Sequence, residues 1–340
     1  MIAGTPSRRR LAAFALLLAA CVVVAAAAIA GGVRSGGSAQ ADASVGARGA
    51  LTAARARREP VVVYRVADPG RPGGGGQVAI ASLGSPRRRT LTPLSCDRVY
   101  FSAAGSGVCL TRGHGFATGY DAEVFGPDLR IRHSLAVDGI PSRARVSPDG
   151  RYGAVTLFVT GDSYADAGSF STRTTIIDLA HGRKIADLED FVVMHGQRRV
   201  TAIDVNFWGV TFARDSGRFY ATLATGGRTY LIEGLVRART AHVIHANVEC
   251  PSLSPDGTRV VYKKRGPDGE NPWRLTVLDL ATMRETPLAE TRSVDDQAAW
   301  LDDDHVLYGL GGAIWIQRAD GRGRPRRFIA NAGSPAVVRW

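Results

Sequence analysis

The tetrapeptide Ser-Pro-Asp-Gly occurs twice in this chain, at Ser147–Gly150 and Ser254–Gly257, each time between a short apolar approach and an alternating run. The runs that follow are Tyr152–Phe158 and Val260–Lys263. Two degenerate copies keep the setting without the letters. Phe212-Ala-Arg-Asp-Ser-Gly-Arg218 leads into Phe219–Leu223, and Trp300-Leu-Asp-Asp-Asp-His305 leads into Val306–Leu310. An aspartate caps its own turn and the following glycine accepts positive φ, so each copy reads as a tight turn between antiparallel strands. A two-strand unit repeated along one chain implies a solenoid or a propeller.

From Pro60 onward short strand-like runs alternate with Gly, Pro, Asp and Asn clusters, and no long helical period intervenes. Grouped by the repeat they form four-stranded units. The expected first strands are Arg98–Ser102, Ala144–Ser147, Trp208–Phe212, Ser252–Ser254 and Ala298–Leu301. The N-terminal group, Val61–Val66, Gln77–Leu83 and Arg89–Leu91, has three strands and lacks a first. The C-terminal Ser334–Trp340 reads as a first strand with nothing after it. Joined, they complete a sixth unit and remove two free sheet edges. The expected fold is therefore all-β: a six-bladed β-propeller of four-stranded, WD40-like blades over residues 59–340, closed by its C-terminal strand.

The repeat resembles the Pro-x-x-Ser-Pro-Asp-Gly units of TolB-type propellers of the bacterial cell envelope, over about residues 60–340. Two stretches carry the likeness to a TolB-like subgroup of exported or anchored proteins. They are Phe207-Trp-Gly-Val-Thr-Phe212 and Glu249-Cys-Pro-Ser-Leu-Ser-Pro-Asp-Gly257. TolB itself carries an additional N-terminal α/β domain. Here only a tether is expected before the propeller, so the resemblance implies a fold and a compartment and does not carry TolB's partners across.

Arg8-Arg9-Arg10 precedes Leu11–Ala30, twenty residues without a charge. At 1.5 Å per residue such a helix spans a bilayer core of about 30 Å, with the arginines on the cytoplasmic side. Residues 1–30 are thus expected to be a signal or transmembrane segment and the propeller to lie outside the cell. Ala39-Gln40-Ala41 offers a cleavage site that would make the protein secreted, and Leu18-Ala19-Ala20-Cys21 resembles a lipobox. Residues 31–58, small, polar and basic, read as a flexible tether.

The net charge of +12 is concentrated at this end, where residues 1–58 hold eight arginines against Asp42 alone. The remainder interleaves acids and bases with no basic stripe, so no nucleic acid is expected as a partner. A monomer is expected, with the membrane met through the N-terminal helix and an envelope protein or small ligand as the partner.

Three cysteines lie in the part expected outside the cell, where a disulfide is permitted. Cys96 and Cys109 flank a hairpin and are expected to pair, with Cys250 free. A turn centred near Ser102–Ala103 sets the two face to face, whereas one centred on Gly105–Ser106 sets Cys109 opposite Ser102. Buried free thiols are the alternative.

No catalytic constellation emerges, and no cofactor or metal is expected. Asp149, Asp215 and Asp256 read as turn residues. Gly161-Asp162-Ser163 with Asp302-x-x-His305 has a lipase-like look, but the serine falls in a long loop and the Asp-x-x-His on a repeat turn. His242 and His245 are three apart in a strand, so they point to opposite faces. Calcium on Asp295-Asp296 or in the axial channel is the one cation site worth naming.

Loop length singles out one face. The second-to-third-strand loops and the blade connections are long at Thr160–Arg173, Val192–Asn206, Arg265–Pro272 and Thr291–Gln297, while the opposite face receives tight turns. The expected binding residues on the long-loop face are Tyr164, Asp166, His195, Arg198, Arg199, Asp204, Asn206, Glu249, Asp295, Asp296 and Gln297, with Asp162 nearby. Arg198 and Arg199 offer anion contacts and Tyr164 an aromatic anchor. The expected role is a non-enzymatic binding module; a hydrolase, lactonase or cyclase with a site at the axial channel is the alternative. Three or more convergent ionisable groups at the channel mouth favour the enzyme, and an apolar or merely wet channel favours the module.

Overall fold

In both full repeat copies the aspartate and serine close the turn as the residue types require. The Ser147 hydroxyl donates to Asp149 (2.7 Å), which accepts the Arg151 amide (2.9 Å), and Gly150 takes φ +72°. Ser254, Asp256, Thr258 and Gly257 repeat the arrangement, with Gly257 at φ +78°. The degenerate copy keeps Asp215 as acceptor for the Arg218 amide (2.8 Å), and Ser216 stands at φ +59° where the others have glycine. The turns also tie blade to blade. The Asp149 amide donates to Ser216, the Arg214 Nε to the Pro255 carbonyl and the Asp256 amide to Asp303.

These turns connect the strands of a six-bladed ring. The computed structural model describes residues 45–67, 76–113, 119–160, 170–266 and 272–340, together with Cys21. Named from the axis outward, blade I is Ala332–Val338, Val61–Val66, Gly76–Ser82 and Arg89–Cys96. Blade II is Arg98–Phe101, Gly107–Arg112, Tyr120–Phe125 and Ile131–Val137. Blade III is Ile140–Val146, Tyr152–Thr160, Ser171–Asp178 and Arg183–Asp187. Blade IV is Asn206–Phe212, Arg218–Thr225, Arg228–Leu235 and Thr240–Ala246. Blade V is Glu249–Leu253, Arg259–Arg265, Trp273–Asp279 and Glu285–Pro287, and blade VI is Ala299–Trp300, His305–Leu310, Ala313–Arg318 and Arg326–Ala330. Val61 pairs with Val338 and Val63 with Ala336, so the C-terminal strand closes the ring.

Apolar side chains alternate along the strands and pack between neighbouring blades. Phe207, Phe212 and Phe219 of blade IV meet Tyr152 and Ile176 of blade III. Each fully buried ring of this kind contributes about 1.5–3 kcal/mol of apolar burial. Trp208, Trp273 and Trp300 are buried, and the Trp300 indole donates to the Ser252 carbonyl (2.8 Å), joining blade VI to blade V.

Three features depart from the sequence reading. Residues 45–56, inside the expected tether, form a helix. Ala47, Leu51 and Ala54, one face at spacings of four and three, are buried against Val61, Leu94, Phe101 and Trp340. It ends where Arg58 adopts φ +52°, a left-handed cap. Its buried face is mostly alanine, too small to register as a hydrophobic stripe. The second departure is the extra hairpin of blade IV. Val192–His195 adds a parallel strand outside Thr240–Ala246, and Arg198–Arg199 pairs outside that.

The third concerns the disulfide. Cys96 and Cys109 are bonded, with Cα atoms 5.4 Å apart, and Cys250 is buried and free. The hairpin register fits neither alternative, because Cys109 pairs with Val99, and Phe101 with Gly107. Cys96 instead ends the outer strand of blade I, so the bond staples two blades rather than two arms of one hairpin. No helix among the described residues is long and apolar enough to cross a membrane. The run expected to do so, Leu11–Ala30, lies outside the described residues apart from Cys21.

Candidate functional site: the two ends of the axial channel

Six inner strands surround the axis, each running from the long-loop face to the turn face. Backbone irregularity marks where they meet it. Blade IV shifts register between Trp208 and Thr211, and blade V between Glu249 and Ser252. Gly209 there has φ +66°, and a Cβ on it would lie 2.6 Å from the Cys250 Cα. The Gln297 amide nitrogen bridges the two bulges, donating to the carbonyls of Gly209 (3.1 Å), Val210 (3.2 Å) and Pro251 (2.7 Å). Gln297 is the waist of the channel.

Toward the long-loop face the channel is filled with paired charges. The Lys263 ammonium, fully buried, lies 2.6 Å from Asp295 and 3.9 Å from Glu249, and 3.9 Å from the centre of the Trp273 ring. Arg143 adds a second cation 3.2 Å from Asp295, and Arg265 lies 3.2 Å from the buried Glu249. Burial pushes the Asp295 carboxyl up, but the Lys263 and Arg143 charges outweigh it and hold the group below the ordinary 3.8. An ammonium thus stands between the two carboxylates, where a bound cation would otherwise have to compete.

Toward the turn face the channel opens. A cavity of about 290 Å³ is lined by every inner strand: Val337, Tyr100, Arg145, Thr211, Ser252 and Trp300, one from each blade in turn. Arg214 and Arg339 complete its cationic lining, and among the described residues no acidic one lines it. Arg145 is buried at its floor, donating to the carbonyls of Ala144 (3.3 Å), Gln297 (3.4 Å) and Ala298 (3.0 Å), with the Tyr100 ring 4.8 Å away. Burial pulls the Arg145 guanidinium below its ordinary value, and does the same to Arg339. Both remain charged, because arginine starts so high. The Arg339 guanidinium donates to the Trp300 carbonyl (3.1 Å).

The expected binding residues therefore scatter. Glu249, Asp295 and Gln297 converge on the channel, and Asp296 lies beside them, accepting the Gly309 amide (2.8 Å). Asp204 caps a blade IV turn by accepting from Thr225 and the Gly226 amide, and Asn206 accepts the Thr172 amide between blades III and IV. His195, Arg198 and Arg199 sit on the added hairpin at the outer edge of blade IV, away from the axis. Tyr164 and Asp166, with Asp162 and Ser163, lie outside the described residues. His305 pairs with Asp302 on the blade VI turn (3.0 Å). Arg145, Arg214 and Arg339 were not singled out from sequence. Their shared signal is position: each lies within the last residues of an inner strand or just beyond it. Both channel ends hold three or more convergent ionisable groups, which on that criterion alone favours an enzyme.

No protein-family model matches the sequence, and no curated protein matches it. Solved structures do. TolB from Acinetobacter baumannii aligns with a TM-score of 0.56 at 17% identity, covering 82% of this chain and 66% of that chain, just under two thirds. A structure of the nidogen/laminin complex aligns with a TM-score of 0.51 at 9% identity, covering 82% of this chain and 97% of that chain. At these identities the likeness is one of fold. The chain folds as a six-bladed β-propeller similar to that of TolB.

Proposed function

We propose that this chain is a non-enzymatic, extracytoplasmic binding module of the bacterial cell envelope, tethered by its N-terminal apolar segment or secreted after cleavage, and that it receives its ligand or partner at the turn-face mouth of the axial channel. The observation that carries this reading is the cavity there. All six blades line it, and its charged side chains are arginines, which hold charge and do not exchange protons at working pH. Such a lining recognises and does not perform general acid–base chemistry. The Cys96–Cys109 bond agrees with an oxidising compartment.

A second reading is a propeller enzyme working from the opposite end, favoured by Glu249, Asp295 and Lys263 gathered beside Arg143. Against it, each of those carboxylates is already held by cations within 3.2 Å. Crosslinking in intact cells, followed by identification of what is captured, separates the readings. Charge reversal of Arg214 and Arg339 is expected to abolish capture, while reversal of Arg198 and Arg199 at the blade edge leaves it. Capture lost only with the latter pair places the partner on the outer edge. Turnover of ester, lactone or peptide substrates that disappears in Glu249→Gln favours the enzyme.

A further inference from the structure

Of the five arginines named at the two channel ends, two have a carboxylate partner and three do not. Arg143 has Asp295 and Arg265 has Glu249, but Arg145, Arg214 and Arg339 have no carboxylate within 4.0 Å among the described residues. Their hydrogen bonds go to main-chain carbonyls alone. Asp302 and Asp303 act on Arg339 only from longer range, and Asp296 on Arg145.

We propose that the turn-face mouth is an oxyanion site for a small solute carrying two or more negative charges, phosphate or carboxylate. This rests on placing the binding site at that mouth. The guanidiniums are graded in depth: Arg145 buried at the floor, Arg339 half-buried on the wall, Arg214 exposed at the rim. A charged group entering the cavity meets cations at every stage, between low-dielectric walls that concentrate their field. Arg145 is already oriented by three carbonyls and the Tyr100 face, so it loses little freedom on binding. Arg214 and Arg339 each use one nitrogen on a carbonyl, and their remaining N–H groups have no acceptor among the described residues. The planar guanidinium fork matches carboxylate and phosphate oxygens in pairs. Ser252 also lines the cavity. About 290 Å³ holds roughly ten waters' share of liquid volume, which suits a metabolite-sized solute rather than a folded domain.

The test is calorimetric titration of the full chain in detergent, in chloride-free buffer, with inorganic phosphate and with citrate. Glucose and spermidine serve as neutral and cationic controls. At least one anion is expected to bind and the controls not, with affinity falling as salt is added. Arg339→Gln and Arg214→Gln are each expected to weaken binding by about tenfold or more, the loss of one charge-assisted contact. Arg145→Gln removes a buried group and could fail to fold, so the rim and wall variants carry the decision. Failure of both anions overturns the proposal, as does binding that neither variant alters. If both anions fail while Arg214 and Arg339 still govern crosslinking in cells, the anion assignment falls and the mouth stands as a partner site. If the anions bind as expected while capture depends only on Arg198 and Arg199, the oxyanion site stands and the partner's place moves.

Discussion

The two ends of the axial channel are built from the same six inner strands and differ in how their charges are paired. At the long-loop end, Lys263, Arg143 and Arg265 are each paired with Glu249 or Asp295, and a fully buried ammonium lies between the two carboxylates. At the turn-face end, Arg145, Arg214 and Arg339 surround an open cavity with no acid among the described residues of its lining. Charges removed from water must be paired or neutralised, and the closed end satisfies that within the protein. The open end leaves it to water or a ligand. Paired and unpaired charge thus divide along the axis, with Gln297 at the boundary.

Lys263→Met should expose this difference most sharply. It leaves the buried Glu249 with Arg265 alone and removes the closest cation from Asp295, so a loss of about 3 kcal/mol or more is expected. Urea denaturation measures it, and a loss below about 1 kcal/mol would mean that the closed end is not a structural network. Next is the waist. Gln297→Leu deprives the carbonyls of Gly209, Val210 and Pro251 of their shared donor, at an expected cost of about 1–3 kcal/mol. An unchanged denaturation midpoint would show that water already serves those carbonyls.

Acid should act on the closed end and spare the open one. Asp295 is held below its ordinary 3.8 in the folded protein. Its contribution is therefore fully present above about 3.8 and is lost as pH falls through the lower folded value. With the side chain 44% exposed, solvent screening limits it to about 1 kcal/mol. Comparing denaturation midpoints across that pH range, the Asp295→Asn protein should show a shallower acid decline than the parent; parallel curves refute the assignment. The smallest effect belongs to the open end. Arg339→Gln removes an unneutralised guanidinium whose protein contact is one carbonyl, and stability should stay within about 0.5 kcal/mol. A loss as large as that of Lys263→Met would abolish the contrast between the ends.

Much of the fold was legible because its signals are local. The Asp-Gly turns recur, the strands between them alternate, and Ser334–Trp340 is a strand without a successor. The observed Ala332–Val338 pairs beside Val61–Val66 as that pattern implies. The helix at residues 45–56 escaped because alanine hides its buried face, although Ala47, Leu51 and Ala54 were readable as one stripe. Glu249, Asp295 and Gln297 were picked as loop-face residues, and the channel is where they converge. The loop-length argument pointed away from Arg145, Arg214 and Arg339, since short turns carry no sign of a cavity above them. His195, Arg198 and Arg199 moved to a blade edge because a parallel strand formed where only a loop could be read.

Alternation, turn chemistry and repeat spacing act over a few residues, so by itself the amino-acid sequence determined the blade count, the closure and the tight turns of one face. Tertiary structure alone decided the sign and the pairing of the channel charges. Each inner strand brings a few residues to the axis, from blades that lie tens of residues apart along the chain. Whether a guanidinium meets a carboxylate there, as Arg143 does, or faces an open cavity, as Arg145 does two residues later on the same strand, depends on which end of the ring its side chain reaches.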